Sequence, residues 1–353
     1  MATLLAKGGY GCVFRPRITC AGKVGRDASR VTKVQAVSAA SDNELSVGAV
    51  VRGIPNYALH FGPALSACQI TASAIGEDVV KVCPPIHGSK ELLLITFAYV
   101  PNVEFSTVLA AAVQSSEDLY LAINSYSLLL RSLALLADAG VVQFDLKPEN
   151  VLYDWDNHRP LIIDFGVSID LGTLRPSAWP DRFYVYAPDY YIWPVEVHYI
   201  CYLVNENAAP SRKELNKVVA SAVDQNKGLA GFSPAFRDRY AEAARDNLAQ
   251  YLGKPRMGVI GALLEHAATW DTYSLAVMYL RALGMWSKAR YTNNLFVTAM
   301  TQALLESMAP VPEHRPSPGE AVSAFNSIFN SDQPLACDIA DMERFRASVM
   351  SPQ

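Results

Sequence analysis

A change in the sequence pattern near Pro101, from short strand-like segments to long helical ones, constrains the fold of this chain more than any other feature. Before it, short strand-like segments alternate with glycine-rich or polar turns, as in LLAKGGYGCVF (residues 4–14). After it come long runs with helical periodicity, among them Glu117–Ala139. With 353 residues the chain is long enough for two such parts, so we predict an α+β fold. The predicted parts are a β-rich lobe at 1–100, a helical lobe at 101–330 and a C-terminal tail at 331–353.

Composition and charge describe an ordinary globular protein. The chain is 51% hydrophobic and 18% charged, which excludes a disordered polymer. A net charge of −4 gives no reason to expect nucleic acid as a partner. The most apolar helix, YSLLLRSLALLADAG, is interrupted by Arg131 and is too short to cross a bilayer, so we predict a buried core helix and no membrane span. Nothing in the sequence indicates an oligomeric state.

Six cysteines are scattered along the chain without a C-x-x-C pair. In a chain of this size the pattern predicts reduced thiols, no zinc site and a cytoplasmic location.

One loop combines polar side chains with a buried setting. The stretch VVQFDLKPENVLYD (residues 141–154) places Asp145, Lys147 and Asn150 between two aliphatic pairs. The aliphatic pairs anchor the loop in a core, and Pro148 stiffens it by fixing its φ angle. Rigid, anchored loops are the usual way in which a fold presents functional side chains. A further acid, Asp164, follows a second short strand in PLIIDFG.

These residue types suit phosphoryl transfer. Asn150 and Asp164 supply two oxygen ligands of the kind that Mg²⁺ takes, with waters and phosphates completing its shell. Asp145 is then available to orient or deprotonate a hydroxyl, and Lys147 can place its charge near the transferred group. Positioning and charge neutralisation provide most of the catalysis in such reactions.

DLKPENVL followed by IIDFG resembles the catalytic loop and metal-binding motif of the eukaryotic-type protein kinase superfamily, and Lys147 resembles its Ser/Thr class. The resemblance covers Leu4 to about Phe329. It implies a bilobal protein-kinase-like fold and an enzyme that transfers the γ-phosphate of ATP, with Mg²⁺ or Mn²⁺, to protein substrates. KGGYGCVFRP and WPVEVH are similar to segments of kinases encoded by giant (nucleocytoplasmic large) DNA viruses, which implies the host cytoplasm or the virion.

The same resemblance assigns the nucleotide-binding residues. AKGGYGCV resembles the glycine-rich loop, with Ala6 where the first glycine would be. Lys33 resembles the lysine that holds the α- and β-phosphates, and Glu44 the helix glutamate that pairs with it. LLITFAYVPNVEF resembles the strand and hinge beside adenine, with Phe97 as gatekeeper and Glu104 near the ribose. The implied nucleotide contacts are Ala6, Gly8, Gly9, Tyr10, Gly11, Val13, Lys33, Phe97, Ala98, Val100, Glu104 and Leu152.

Several of these assignments have a simpler structural alternative. Lys23, in a glycine-rich loop, competes with Lys33, and we prefer Lys33 because it lies in a predicted strand. Glu44 could serve only as the acid of a capping box begun by Ser41. Gly8 to Gly11 could form a plain hairpin turn.

The late motifs predict structural roles and an insertion. Glu196 and Arg315 are expected to form a structural ion pair, and Asp271 to be a buried acid at the start of a helix. The span between Glu196 and Asp271 is far longer than a connection requires. Its helical periodicity predicts a helical insertion at about 199–268.

One departure from the family pattern bears on regulation. Gln143 and Phe144 stand where the family usually has His-Arg, and a phenylalanine cannot pair with a phosphate on the activation segment. We therefore predict constitutive activity, with the segment held by aromatic packing. The aromatic residues expected to pack are Trp179, Phe183, Tyr184, Tyr186, Tyr190, Tyr191 and Trp193. The candidate phosphate acceptors are Ser168, Thr173 and Ser177.

Two other functions compete with a protein kinase. A small-molecule phosphotransferase shares a related spacing of Asp145 and Asn150, but usually lacks the Lys-Pro-Glu insert and the late arginine. A pseudokinase scaffold would keep the fold without turnover, and the intact Lys33, Asp145, Asn150 and Asp164 argue against it.

Overall fold

A computed structural model describes residues 2–205, 211–289 and 295–330, so the predicted tail 331–353 lies outside the described residues. The chain divides into two compact units, Met1–Val103 with Leu152–Ser168, and Glu104–Val151 with Ile169–Gln353. The first is rich in sheet and the second in helix, which confirms the mixed α+β class. The segment after Val151 belongs to the first unit, although the sequence placed it with the second part.

The elements are close to those expected, with several short additions. The strands are β1 Thr3–Lys7, β2 Gly11–Arg15, β3 Arg30–Ala36, β4 Phe61–Gly62, β5 Ser66–Thr71, β6 Glu91–Ala98, β7 Asn102–Glu104, β8 Val141–Val142, β9 Val151–Asp154, β10 Arg159–Ile163 and β11 Ile169–Asp170. The helices are α1 Ala39–Arg52, α2 Glu77–Val82, α3 Phe105–Ala111, α4 Ser116–Asp138, α5 Trp179–Arg182, α6 Val195–Asn205, α7 Arg212–Gln225, α8 Pro234–Ala249, α9 Arg256–Leu264, α10 Trp270–Ala289, α11 Leu295–Ser307 and α12 Pro318–Asn330. The helices α2, α3, α5, α6, α9 and α11 were not predicted from the sequence.

An antiparallel sheet of five strands, in the order β1-β2-β3-β6-β5, forms the frame of the first unit. β3 lies at its centre, where Lys33 pairs with Val13 on β2 and with Ile95 on β6. A second sheet has the order β4-β10-β9-β7, with β10 parallel to β4. It leads the chain out of β10 directly into Asp164.

Helix α1 begins earlier than the sequence suggested. Ser38 is its N-cap and forms a capping box with Ser41, whose hydroxyl accepts the Ser38 backbone N–H at 2.9 Å. The predicted capping box between Ser41 and Glu44 is therefore wrong. A serine can replace the usual glutamate at the third helical position because its hydroxyl also accepts a hydrogen bond. Glu44 is left one turn inside the helix and available for another partner.

The prediction of reduced thiols is wrong for four of the cysteines. Disulfide bonds join Cys12 to Cys83 and Cys20 to Cys68, both within the first unit. The partners are 71 and 48 residues apart, so no local spacing could reveal them. Cys201 is buried and free, whereas Cys337 lies outside the described residues. The argument for a cytoplasmic location from reduced thiols therefore loses its basis.

The second unit is built around α4 and α10. Helix α4 is long and apolar enough to span a membrane, so the prediction that it is too short to do so is wrong. Of its apolar window 61% is buried, which confirms the predicted core helix. The Tyr279 hydroxyl of α10 donates to the Ala122 carbonyl of α4 at 2.8 Å. The Trp286 indole N–H donates to the Leu109 carbonyl at 2.8 Å. These bonds satisfy the polar atoms of two aromatic side chains that are fully buried.

The predicted insertion is helical but forms part of the core of the second unit. Tyr240 of α8 is buried and its hydroxyl donates to the Met308 carbonyl at 2.7 Å. Asn226, which follows α7, donates its side-chain N–H to the Tyr273 hydroxyl of α10 at 2.8 Å. The insertion therefore shares buried hydrogen bonds with the central helix, rather than forming a peripheral module.

Candidate functional site

Three motifs that are far apart in the sequence meet at Lys33 in the first unit. Its ammonium nitrogen lies 2.9 Å from Glu44 Oε2 and 3.2 Å from Glu44 Oε1. The same nitrogen lies 3.3 Å from Asp164 Oδ1. β3, α1 and the segment after β10 thus each supply one charged group. Lys23, the alternative considered from the sequence, is exposed and makes no ion pair within the described residues.

The electrostatics of this triad favour a charged lysine. The Lys33 side chain is only 13% exposed and that of Glu44 only 2%. Burial by itself lowers the pKa of Lys33, but the carboxylates of Asp164 and Glu44 outweigh it and raise that pKa above its ordinary value. Removing one member of such a buried pair leaves an uncompensated charge, at a cost of about 3–5 kcal/mol.

The backbone around Asp164 is held in an uncommon conformation. Asp164 has a φ of +59°, in the left-handed region, and its side chain is 41% exposed. Asn43 of α1 donates its side-chain N–H to the carbonyls of Gly166 at 3.0 Å and Ser168 at 2.9 Å. Phe165 is buried and packs edge-on against Phe61, with ring centroids 6.2 Å apart. Asn43 is a positioning residue that the sequence analysis missed, because a lone asparagine on a helix carries no motif.

The glycine-rich segment forms the turn between β1 and β2. The Gly8 N–H donates to the Gly11 carbonyl at 2.8 Å. Gly11 is required by packing, since a Cβ there would lie 2.3 Å from the Val34 carbonyl oxygen. A Cβ on Gly9 would meet nothing within 4 Å, and Tyr10 is 54% exposed. The tip of this turn is therefore open, as either a plain hairpin or a phosphate-binding loop requires.

The residues assigned to the adenine strand and hinge lie at and beyond the end of β6. Phe97 pairs with Val31 and Ala98 with Arg30 on β3. The Val100 carbonyl already accepts the Asn102 side-chain N–H at 2.8 Å. The remaining assigned residues are Ala6 on β1, Val13 on β2, Glu104 (exposed, at the end of β7) and Leu152 (half-buried, on β9).

A second polar cluster lies in the second unit, in the loop between β8 and β9. Lys147 Nζ lies 2.9 Å from Asp145 Oδ2. The side-chain N–H of Asn150 donates to the same Oδ2 at 2.8 Å and to the Asp145 carbonyl at 2.9 Å. A short 3₁₀ turn, Pro148–Asn150, brings Asn150 back toward Asp145. The three polar residues singled out from the sequence are therefore in mutual contact.

A buried acid on α10 holds this loop. The backbone N–H groups of Gln143 and Phe144 donate to the two carboxylate oxygens of Asp271, at 2.6 and 2.9 Å. Gln143 Oε1 in turn accepts the Asp145 backbone N–H at 2.7 Å. Burial raises the pKa of Asp271 to about 6, against the opposing effect of these two backbone donors. Gln143 thus positions the loop by a direct hydrogen bond, a role that its sequence position alone did not disclose.

Phe144 is the centre of an aromatic cluster. It has a φ of +69°, and its ring stacks on that of Trp193 with centroids 4.8 Å apart. The Trp193 indole N–H donates to the Phe144 carbonyl at 2.7 Å. Phe183 and Trp270 pack against the same ring, at 5.7 and 5.8 Å. Phe183 and Trp193, which both follow β11, therefore pack against Phe144, the residue before Asp145.

The other predictions for that segment have mixed outcomes. Trp179 and Phe183 are buried as predicted, but Tyr184 is 58% exposed, so the packing prediction is wrong for Tyr184. Ser168 is fully buried and is not accessible for phosphorylation. Thr173 and Ser177 are exposed and stay candidates. Tyr184 misled the sequence analysis because a run of aromatic residues does not show which face each one takes.

The predicted ion pair between Glu196 and Arg315 is present and fully buried. Arg315 donates to Glu196 Oε2 at 3.0 Å, and the Trp270 indole N–H donates to Oε1 at 3.1 Å. The pair joins the start of α6 to the segment before α12, which is a structural role.

Comparison with models of known protein families, and with curated proteins, found no match to this chain. Inferences about its function therefore rest on the motifs and on the contacts described above.

Proposed function

We propose that this chain is a serine/threonine protein kinase that uses ATP with Mg²⁺. The observation that carries the proposal is the contact of Lys33 with both Glu44 and Asp164. The sequence motifs alone had assigned Lys33, Glu44 and Asp164 to one nucleotide site. The fold brings Asp164, 131 positions from Lys33, to the same nitrogen that Glu44 contacts, which supports the assignment of the three residues to one site. A buried structural triad would give the same contacts, so binding and turnover must distinguish the two.

The residues assigned to the metal have suitable donor atoms. Asn150 uses its amide N–H groups on Asp145, which turns its carbonyl oxygen away from that acid and leaves it as a ligand for a hard cation. The Asp164 carboxylate is 41% exposed and carries the charge that Mg²⁺ prefers. Mg²⁺, or Mn²⁺ in its place, would neutralise phosphate charge during the transfer.

The chain's own residues have distinct roles in the proposed reaction. Lys33, kept cationic by its two carboxylate neighbours, holds the α- and β-phosphates. Asp145 orients the substrate hydroxyl and takes its proton as the hydroxyl oxygen bonds to the γ-phosphorus and the bond to the β-phosphate oxygen breaks. Lys147, 2.9 Å from Asp145, places a positive charge beside the transferred group.

The proposal includes activity without phosphorylation of the activation segment. Trp193 and Phe183 pack on Phe144, where a family member with arginine would bind a phosphate. Hydrophobic packing can therefore order the segment through contacts that are always present.

A matched pair of lysine variants tests nucleotide binding. Lys33→Met should weaken MgATP binding at least tenfold, because it removes the charge that holds the phosphates. Lys23→Met is the control, since Lys23 is exposed and its loss should leave binding unchanged. Binding is measured by calorimetry with and without Mg²⁺, with thermal unfolding of each variant as a check that it folds.

Transfer assays separate the proposed function from its rivals. A protein kinase labels serine and threonine in a generic protein, whereas a small-molecule phosphotransferase labels only added small acceptors. A pseudokinase binds nucleotide without turnover. If neither lysine variant alters binding, or if Lys23→Met alone does, the assignment of Lys33 is wrong.

A further inference from the structure

A cationic cluster surrounds Tyr191 in the second unit. Lys227, in the loop after α7, places its ammonium nitrogen 4.2 Å from the centre of the Tyr191 ring. Arg281, on α10, donates to the Tyr191 hydroxyl at 3.2 Å, with its guanidinium carbon 5.8 Å from the same ring. Three distant segments of one unit therefore bring two positive charges to one side chain.

No carboxylate among the described residues neutralises either cation. Within the described residues, neither Lys227 nor Arg281 makes an ion pair, and both are exposed. Tyr191 offers each of them a ring face or a hydroxyl oxygen, which orients a cation without cancelling its charge. The cluster thus presents two oriented positive charges to solvent in a chain whose net charge is −4.

The residue before Tyr191 contacts the proposed catalytic loop. Tyr190 precedes Tyr191, and its hydroxyl lies 3.5 Å from Lys147 Nζ, which is 2.9 Å from Asp145. The contacts from Asp145 through Lys147 to Tyr190 therefore connect the loop that would hold the substrate hydroxyl with the residue next to Tyr191. Because an extended peptide advances about 3.3 Å per residue, a substrate with its hydroxyl at Asp145 needs only a few residues to extend beyond these contacts.

We propose that Arg281 and Lys227 select protein substrates that carry an anionic residue, a carboxylate or a phosphorylated side chain, within about four positions of the phosphorylated hydroxyl. This inference rests on the proposed kinase function and adds the substrate class to it. Arg281 supplies the planar donor set that binds carboxylate or phosphate through two N–H groups, and Lys227 adds a point charge. An anionic residue gains a charge-assisted hydrogen bond at this cluster, whereas a basic residue meets two like charges.

The test uses a set of peptides that share one serine acceptor and differ at a single neighbouring position. That position carries aspartate, phosphoserine, lysine or alanine, and it is moved in turn from four residues before the acceptor to four after it. For the unaltered protein we expect kcat/KM for the best aspartate peptide to exceed that of the matching lysine peptide at least tenfold. The ratio should fall several-fold between 50 and 500 mM salt, because exposed charges are screened.

Charge reversal at the cluster is compared with charge reversal at a similar site elsewhere. Arg281→Glu, and Arg281→Glu combined with Lys227→Glu, should invert the preference so that the lysine peptide becomes the better substrate. Lys254→Glu is the control, because Lys254 is exposed and lies over the ring of Tyr251 at 5.3 Å, outside the cluster. That variant should keep the preference for aspartate. Thermal unfolding verifies that every variant folds.

Each outcome points to one conclusion. A stronger preference for phosphoserine than for aspartate identifies phosphorylated proteins as the substrates, and equal preference identifies acidic segments. Turnover of all peptides at equal rates, or a preference that survives both charge reversals, overturns this inference and leaves the proposed kinase function standing. Absence of transfer to every peptide and to a generic protein overturns the proposed function and this inference with it.

Discussion

Replacing Trp193 tests whether aromatic packing orders the segment beside the proposed catalytic loop. Trp193→Leu removes the stacking on Phe144 at 4.8 Å and the hydrogen bond to the Phe144 carbonyl at 2.7 Å. Leucine keeps an apolar side chain in the space, so the change is directed at the two specific contacts. Tyr184→Leu is the matched control, since Tyr184 lies in the same segment but is 58% exposed.

The expected magnitude follows from the two contacts that are lost. An aromatic pair contributes about 0.5–1.5 kcal/mol beyond its buried area, and a hydrogen bond contributes about 0.5–1.5 kcal/mol net. Their sum, about 1–3 kcal/mol, corresponds to a fall in kcat/KM of about 5- to 150-fold if these contacts are what orders the segment. The left-handed backbone conformation of Phe144 costs about 1–3 kcal/mol by itself. The contacts of Trp193 with Phe144 therefore also keep the loop from relaxing to a less strained conformation.

Steady-state kinetics with a protein substrate provide the assay. We expect Trp193→Leu to lower kcat/KM within that range, while MgATP affinity changes less than threefold. A double-mutant cycle with Phe144→Leu should give a coupling free energy of about 0.5–1.5 kcal/mol for the ring pair. The reasoning is refuted if Trp193→Leu stays within twofold of the unaltered protein, or if Tyr184→Leu is equally damaging. It is also refuted if phosphatase treatment alone lowers kcat/KM more than tenfold.

Three further predictions follow from the described contacts. Burial raises the pKa of Asp271 from 3.8 to about 6, so the folded state binds its proton more tightly than the unfolded state does. The resulting contribution to stability is fully present below pH 4 and falls by about 3 kcal/mol as the pH rises through 6. Urea unfolding from pH 4 to 7 should show this decline, and Asp271→Asn should lack it. Reduction of the two disulfides, of which Cys12–Cys83 closes 71 residues, should lower stability by about 4 kcal/mol or more, measured by urea unfolding with and without dithiothreitol. Six reactive thiols rather than two in the unreduced protein unfolded in urea would contradict the pairing. Replacing residues 205–265 by a short linker should give insoluble protein, because Asn226 and Tyr240 hydrogen-bond within the core; a soluble product that binds ATP would show that the insertion is peripheral.

The sequence was sufficient where the signal is local or periodic. The β1–β2 hairpin, the central strand at Lys33 and the long helix α4 follow from alternation, glycine positions and apolar periodicity. The placement of Asp145, Lys147 and Asn150 on one anchored loop was also predicted, whereas their mutual hydrogen bonds were not.

The sequence was insufficient where partners are distant or where several residues can take one role. The disulfides pair cysteines 71 and 48 positions apart, and no short-range pattern encodes such a pairing. The capping box of α1 joins Ser38 to Ser41 rather than Ser41 to Glu44, because a serine at the third helical position can also accept the N-cap N–H. Asn43 holds the backbone after Asp164 through contacts that only the folded chain brings together.

Transfer of γ-labelled phosphate to a protein substrate tests the central claim most directly. The account predicts that the purified protein with Mg²⁺ and γ-labelled ATP places label on serine or threonine, and that α-labelled ATP gives none. Asp145→Asn should lower kcat by about 10²- to 10⁴-fold, the range of a positioned acid–base group, and Asp164→Asn should abolish turnover. Asp156→Asn, in the exposed turn between β9 and β10, should retain full activity. Full activity in Asp145→Asn, or the absence of labelled protein despite tight binding of MgATP, would contradict the account.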